Sequence, residues 1–324
     1  YATGDYYTGM VDENQKEPLG VYIEDLKPAN SKFYEDERVT VWGVLKARTL
    51  DPSKPISIST NCYAKTYAFE GEKTVSGDAD PVGSATELKI STSTMEEKDL
   101  TCEFNSNSLK EGMWGIYISS TFNFDTYSYL KAYFMDQDRL RAFRRENKDP
   151  LDIYGITDKN PISLCTAGPI ELNMQVTQPL TGLSRNPSER NEIVLGITIA
   201  NRWSGKIKEI KDLTIKVPPA MSIVFCDQNI KEVACSGEEC EEGKYKKVYK
   251  LQDKDEGGKR GKESLRDIEQ FQSFRCRVNV DSVDGALGNT PIAIHNFKAS
   301  TSYIYELTKS VNIDVQKRKT GEQI

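Results

Sequence analysis

The sequence predicts an all-β protein made of two consecutive β-sandwiches. Three observations predict it. Apolar residues recur with period two, the periodic runs are short and punctuated by turn clusters, and one order of features occurs twice along the chain. Ile193, Leu195, Ile197 and Ile199 alternate with other residues, as do Ile116, Ile118, Phe122 and Phe124. That is the pattern of a strand with one buried face. Asp51-Pro52-Ser53, Asp80-Pro81-Val82-Gly83 and Val217-Pro218-Pro219 interrupt such runs, and short strands spaced by turns of this kind build sandwiches.

In chain order, strands are expected at Val39 to Leu45 and at Ile56 to Ser59, which leads into Cys62. Thr101-Cys102-Glu103-Phe104-Asn105 follows, then Gly115 to Ile118, Phe122 to Phe124, Tyr127 to Leu130, and one more strand from Leu130 to Met135. Helical signal is confined mainly to Asp138 to Asn147, where Leu140 and Phe143 share a face and Asp136 or Asp138 can cap the start. The second half runs through Ile193 to Ala200, Leu213 to Val217, Met221 to Phe225 and Phe274 to Val280, and ends in Val311 to Val315. The expected division is a tail at 1–17, a first sandwich at 18–136, a connector with a short helix at 137–167, a second sandwich at 168–317, and a tail at 318–324.

The repeat organises the cysteines. Cys102 precedes the Tyr127-Ser-Tyr129 pair by 25 residues, and Cys276 precedes Tyr303-Ile-Tyr305 by 27. Upstream, Cys62 and Cys226 each follow a strand, 40 and 50 residues before those cysteines. Matching places predict the bridges Cys62–Cys102 and Cys226–Cys276, with Cys235–Cys240 closing a small loop on an insertion in the second copy. Disulfides imply an oxidising compartment; the competing reading is buried free thiols, and the repeat favours disulfides. Cys165 is left over at the entry to the second sandwich. It is either a cross-link to another molecule or a free thiol, the latter buried under the connector.

Composition excludes several function classes. A net charge of −6 gives no basic excess for nucleic acid. The longest apolar run, Ile193 to Ala200, is far short of the roughly 18 residues that span a bilayer, so an anchor would lie outside the chain; Lys317-Arg318-Lys319 is a weak juxtamembrane signal. The start at Tyr1 is expected to follow a removed upstream segment. With His295 as the single histidine, a two-cysteine, two-histidine zinc site is ruled out and nucleophile–histidine pairs have one candidate. It lies in the strand-like Ile292 to Phe297 and reads as a strand residue with an ordinary hydrogen bond. Gly257-Gly258-Lys259 lacks the strand-before, helix-after context of a phosphate loop and reads as a hairpin tip. The acidic clusters at Glu35-Asp36-Glu37 and around Cys240 read as solvated loops. Asp78 with Asp80, and Asp136 with Asp138, are the best Ca²⁺ candidates but lack EF-hand spacing. No metal, cofactor or enzymatic activity is expected.

Tyr127, Tyr129 and Tyr133 share one strand face with Lys131, so that face cannot all be closed core; it is a candidate contact surface, since tyrosine is favoured at interfaces. In the second half, Ile170-Glu-Leu-Asn-Met-Gln-Val-Thr-Gln-Pro179, Glu192-Ile-Val-Leu-Gly-Ile-Thr-Ile-Ala-Asn201 and Ile210-Lys-Asp-Leu-Thr-Ile-Lys-Val-Pro218 follow one another as successive strands. With the closing Tyr-x-Tyr they resemble immunoglobulin-like ectodomains of microbial surface proteins, especially the CARDB-like sandwiches of archaea and some bacteria. The insertion carrying Cys235 and Cys240 and the helical connector depart from that pattern. The resemblance implies tandem immunoglobulin-like sandwiches and an extracellular or cell-surface location. The expected task is non-enzymatic: self-association into a filament, sheath or surface layer, or binding of another surface protein or a glycan as an anchored ectodomain.

Overall fold

A computed structural model of the chain describes residues 19–49, 51, 53–68, 71–80, 88–91, 94–234, 245 and 247–318. The fold is almost entirely β. The strands of the first half are β1 (Gly20–Pro28), β2 (Lys32–Tyr34), β3 (Val39–Arg48), β4 (Ile56–Ala68), β5 (Gly71–Asp80), β6 (Leu88–Ile90), β7 (Glu96–Phe104) and β8 (Gly112–Asp136). Two helices follow, α1 (Gln137–Arg145) and α2 (Pro150–Ile153), then β9 (Leu164–Cys165). The second half has β10 (Ile170–Val176), β11 (Leu180–Leu183), β12 (Glu192–Asn201), β13 (Lys206–Val217), β14 (Met221–Cys226), β15 (Ile230–Val233), β16 (Lys247–Leu251), β17 (Arg266–Ile268) and β18 (Phe271–Val280). Helix α3 (Val283–Leu287) and β19 (Ala293–Gln316) complete the chain.

The period-two stretches form strands for the reason expected: in β12, Ile193, Leu195, Ile197 and Ile199 are buried, and in β10 Ile170, Leu172, Met174 and Val176 are. Helix α1 starts where Asp136 accepts hydrogen bonds from the Asp138 and Arg139 N–H groups, and its one buried residue is Leu140.

One feature differs from two separate tandem units. The runs from Gly115 to Met135 are not successive strands but a single 25-residue strand, β8. Val311 to Val315 is likewise the end of β19. These two strands pair antiparallel in one register from Gly112 opposite Val315 to Phe134 opposite Ala293. At about 3.3 Å per residue the ribbon is about 75 Å long. The sheet therefore crosses the expected boundary at residue 136. The last strand of the chain pairs with β13 through its first half and with β2 near its end, at Asp314–Gln316. Ser119, Ser120, Thr126 and Ser128 interrupt the apolar alternation of β8, but they are small and buried. Three of the four hydroxyls find partners within the sheet: Thr60 and Ser120 lie 3.2 Å apart, Thr126 lies 3.0 Å from the Tyr303 hydroxyl, and Ser119 accepts from Thr308, whereas the Ser128 hydroxyl has no partner among the described residues. Buried hydroxyls satisfied this way let the strand continue.

Among the described residues fifteen strands, the ribbon's two included, join one sheet: ten in the path β1-β3-β7-β5-β4-β8-β19-β13-β16-β15 and five, β2, β6, β9, β11 and β17, paired off it; a second sheet has the order β10-β12-β18-β14. Strand β5 turns from one layer to the other, pairing with β4 through Gly71–Gly77 and with β7 through Asp78–Asp80. Aromatic rings join the halves: Tyr22 of β1 lies 4.5 Å from Trp203, Trp203 lies 6.0 Å from Tyr305, and Tyr305 lies 5.7 Å from Phe122. Gly20, at φ +107°, is required there, because a Cβ would sit 2.8 Å from the Trp203 ring. Among the described residues no helix is long and apolar enough to cross a membrane.

Candidate binding groove

The structure bonds Cys62 to Cys102 and Cys226 to Cys276. The two bridges do different work. Cys62 and Cys102 lie on β4 and β7, which flank β5, so that bond ties together the two layers of the first half. Cys226 and Cys276 face each other on neighbouring strands of one sheet; their bond staples the edge strand β14 to β18 and does not cross between layers. Cys235 and Cys240 lie outside the described residues, as does the acidic cluster around them.

The tyrosine face is open only in part. Tyr133 is 1% exposed, which leaves it no surface to offer a partner, and its hydroxyl donates to the Asp158 carbonyl. Tyr127 and Tyr129 are half-buried. The Tyr127 hydroxyl donates to Asp125, and Lys54 Nζ donates to the Tyr127 oxygen at 2.7 Å and to Asp125 at 3.1 Å. Burial alone would lower the Lys54 pKa, but these two partners raise it above the ordinary lysine value. Ser302 donates to the other Asp125 oxygen, so the cluster ties the turn before β4 to β8 and β19 at the middle of the ribbon. The cover over this face is the connector: Lys131 pairs with Asp158, and β9 pairs with Ser128 and Tyr129. Sequence periodicity sets which side chains share a face but not what lies on it.

Other expected residues have structural partners. His295 Nε2 lies 2.6 Å from the Ala286 carbonyl of α3. Glu35 accepts from the Glu111 N–H, and Glu37 from the Tyr34 N–H. Arg318, from the basic stretch near the end, is held by Asp36 and Glu37. Asp136 caps α1 and pairs with Arg185. Asp78 and Asp80 are exposed on β5, and among the described residues no group of three metal-ligating side chains converges. The Gly257-Gly258 turn has both glycines at positive φ, with Glu256 and Lys259 bridged across it, as a hairpin tip requires.

Cys165 is unbonded and half-buried. Burial and then the Glu171 carboxylate push its thiol pKa up, with Arg202 opposing. Its place explains its neighbours. The backbone of 164–166 lies on β8, where Thr166 N–H donates to the Tyr127 carbonyl. The Thr166 hydroxyl also accepts from β8, at the Tyr127 N–H, while the side chains of Ser163 and Cys165 face β10, the edge strand of the second sheet. There the Met174 N–H donates to Ser163 Oγ at 3.0 Å, and Cys165 lies beside Leu172. The connector thus closes the gap between the sheets, its backbone and Thr166 on one and Ser163 and Cys165 on the other. It caps the outward Met174 N–H and covers part of what would otherwise be an exposed edge.

This cover stops at Pro161. The next outward donor of β10 in the same alternation is the Val176 N–H, and the residue that would cap it is a proline. Beside it opens a groove of about 570 Å³ whose lining includes Asn160, Pro161, Ile162, Asn173, Gln175 and Thr177, within the range of ligand-binding clefts. Every lining residue is uncharged. A second recess of about 400 Å³ adjoins it across Asn160 and Pro179, running toward α1 and α2. It is charged, with Lys159 paired to Asp149 and Asp152. These hollows escaped the reading of the sequence, because they form between a connector and a strand edge; Pro161 and Pro179 are local signs that could have pointed to them.

No protein-family model matches the chain, and no curated protein matches it. The CARDB-like likeness therefore remains a resemblance of sequence. Among solved structures, the Enterococcus faecalis MSCRAMM ACE, described as binding its ligands by the collagen hug model, aligns over 95% of this chain and 98% of its own, at 9% identity and a TM-score of 0.20. A superposition this loose carries no inference about function.

Proposed function

We propose that the protein is a non-enzymatic extracellular structural protein, a self-assembling subunit of a cell-surface filament, sheath or layer. The observation that supports this reading best is the β8–β19 ribbon, which runs unbroken through both halves and makes them one stiff unit. Two disulfides favour an oxidising compartment. The single histidine is engaged by a backbone carbonyl, which favours a role other than catalysis. The test is particle size under native conditions, by light scattering and negative-stain microscopy, with and without reductant. Ordered particles far larger than the 36.5 kDa chain are expected, and removal of residues 1–17 should abolish them if that segment adds a strand to the next subunit. A monodisperse monomer in every condition would sink the reading.

The groove favours a second reading, an anchored ectodomain that binds a partner protein or glycan. Under it, the protein stays monomeric and function resides at β10 and the connector.

A further inference from the structure

We propose that the groove beside β10 is a docking site for an extended, uncharged polypeptide strand of another protein, which pairs with β10 where the connector's cover ends. Ser163 accepts the Met174 N–H, and Cys165, two residues further along, lies beside Leu172, two residues back on β10. The connector therefore runs antiparallel to β10 and substitutes a side-chain acceptor for a strand's carbonyl. Continuing that alternation brings Pro161 opposite Val176. Proline's side chain has no polar atom to accept the Val176 N–H, so the donor faces the groove. An incoming backbone carbonyl is the partner such an edge takes.

The lining sets the chemistry of the occupant. The carboxamides of Asn160 and Gln175 and the hydroxyl of Thr177 have no hydrogen-bond partner among the described residues. Carboxamides both donate and accept, and so complement peptide groups. Ile162, 77% exposed on the rim, with Pro161 and Pro179 offers an aliphatic seat for one side chain of the ligand. No aromatic ring lines the groove, so the apolar face of a sugar has nothing to stack on. No charge lines it either, and a charged ligand group would lose water there without gaining a counter-ion. That disfavours the chain's own first 18 residues, which carry Asp5, Asp12, Glu13, Lys16 and Glu17. Beyond the Met174 N–H that Ser163 caps, Gln175 to Thr177 give about 10 Å of open edge, room for about three paired ligand residues.

The test uses the full chain and a fluorescein-labelled, end-capped Thr-Val-Thr-Val-Thr peptide. Saturable binding is expected by anisotropy, together with slowed hydrogen exchange at the Val176 amide. Ile162→Lys, and Asn160→Ala with Gln175→Ala, should each weaken binding by about tenfold or more. These side chains are exposed, so the melting temperature should not move, which separates lost binding from lost folding. The same peptide with its valine nitrogens methylated should fail to bind. Absence of saturation up to millimolar peptide overturns the proposal, as does binding indifferent to Ile162→Lys. Val176 protection that rises with protein concentration in the absence of peptide also overturns it, by assigning the edge to a second copy of this chain. Because none of these readouts depends on particle formation, failure here and failure of self-assembly are distinguishable.

Discussion

Gly77 sits on β5 opposite Cys62, between the strands that the Cys62–Cys102 bond joins. A Cβ there would approach the Cys62 sulfur and the Phe104 ring at 2.8 Å. Gly77→Ala is expected to destabilise the protein by about 1–3 kcal/mol through overpacking, read as a lower urea midpoint at unchanged slope. Tyr305 supplies a pH-dependent prediction. Its hydroxyl donates to Asn201 Oδ1 at 2.7 Å, and burial pushes its pKa up to about 12. A folded-state value above the unfolded one means the folded state holds the proton more tightly. That stability is fully present below about pH 10, the unfolded tyrosine value, and is lost as pH rises toward 12. The urea midpoint should fall across that window, and Tyr305→Phe should make the fall shallower. At this scale the sequence was informative about partners in a bond and poor at faces. The cysteine spacing pointed to Cys62 with Cys102 and to Cys226 with Cys276. The parallel between Tyr127-Ser-Tyr129 and Tyr303-Ile-Tyr305 did not extend to burial: Tyr303 and Tyr305 are in the core and the other two are half-buried.

Among the elements, the connector has the most consequence for its size. Strand β9 has two residues, yet with Ser163 it covers an edge of one sheet while pairing with the other. Ser163→Ala leaves the Met174 N–H without its acceptor. We expect a loss of about 1–2 kcal/mol and faster hydrogen exchange at Met174, with Leu172, next to Cys165, changed less. Edge strand β14 is protected differently, by a register shift between Ile223 and Phe225 and by its disulfide to β18. The start of α1 was legible because a cap is local: Asp136 needs only the next few N–H groups. The role of residues 158–166 was not, because it depends on strands distant in sequence.

For the whole molecule, the ribbon makes a mechanical prediction. If β19 completes the first half and β8 the second, neither half is self-sufficient. The intact chain is expected to unfold in one calorimetric transition, with the calorimetric and van't Hoff enthalpies in agreement. A fragment of residues 19–167 has lost the strand that pairs along β8 and should be insoluble or unfolded, by circular dichroism and native size, until residues 168–318 are supplied. Independent folding of that fragment, or two resolved transitions, would show that the shared sheet contributes little to the cohesion of the halves. The sequence by itself determined the all-β class, most strand positions, the helix and its cap, and the cysteine places, since period-two burial, capping and spacing are written in near neighbours. Only the tertiary structure decided that Leu130 to Met135 and Val311 to Val315 are the ends of two long paired strands, that a connector lies over the tyrosine face, and that a neutral groove opens where Pro161 leaves the edge of β10. Each of these rests on contacts between residues far apart in the chain, and alternation along one strand is the same whichever strand comes to lie beside it.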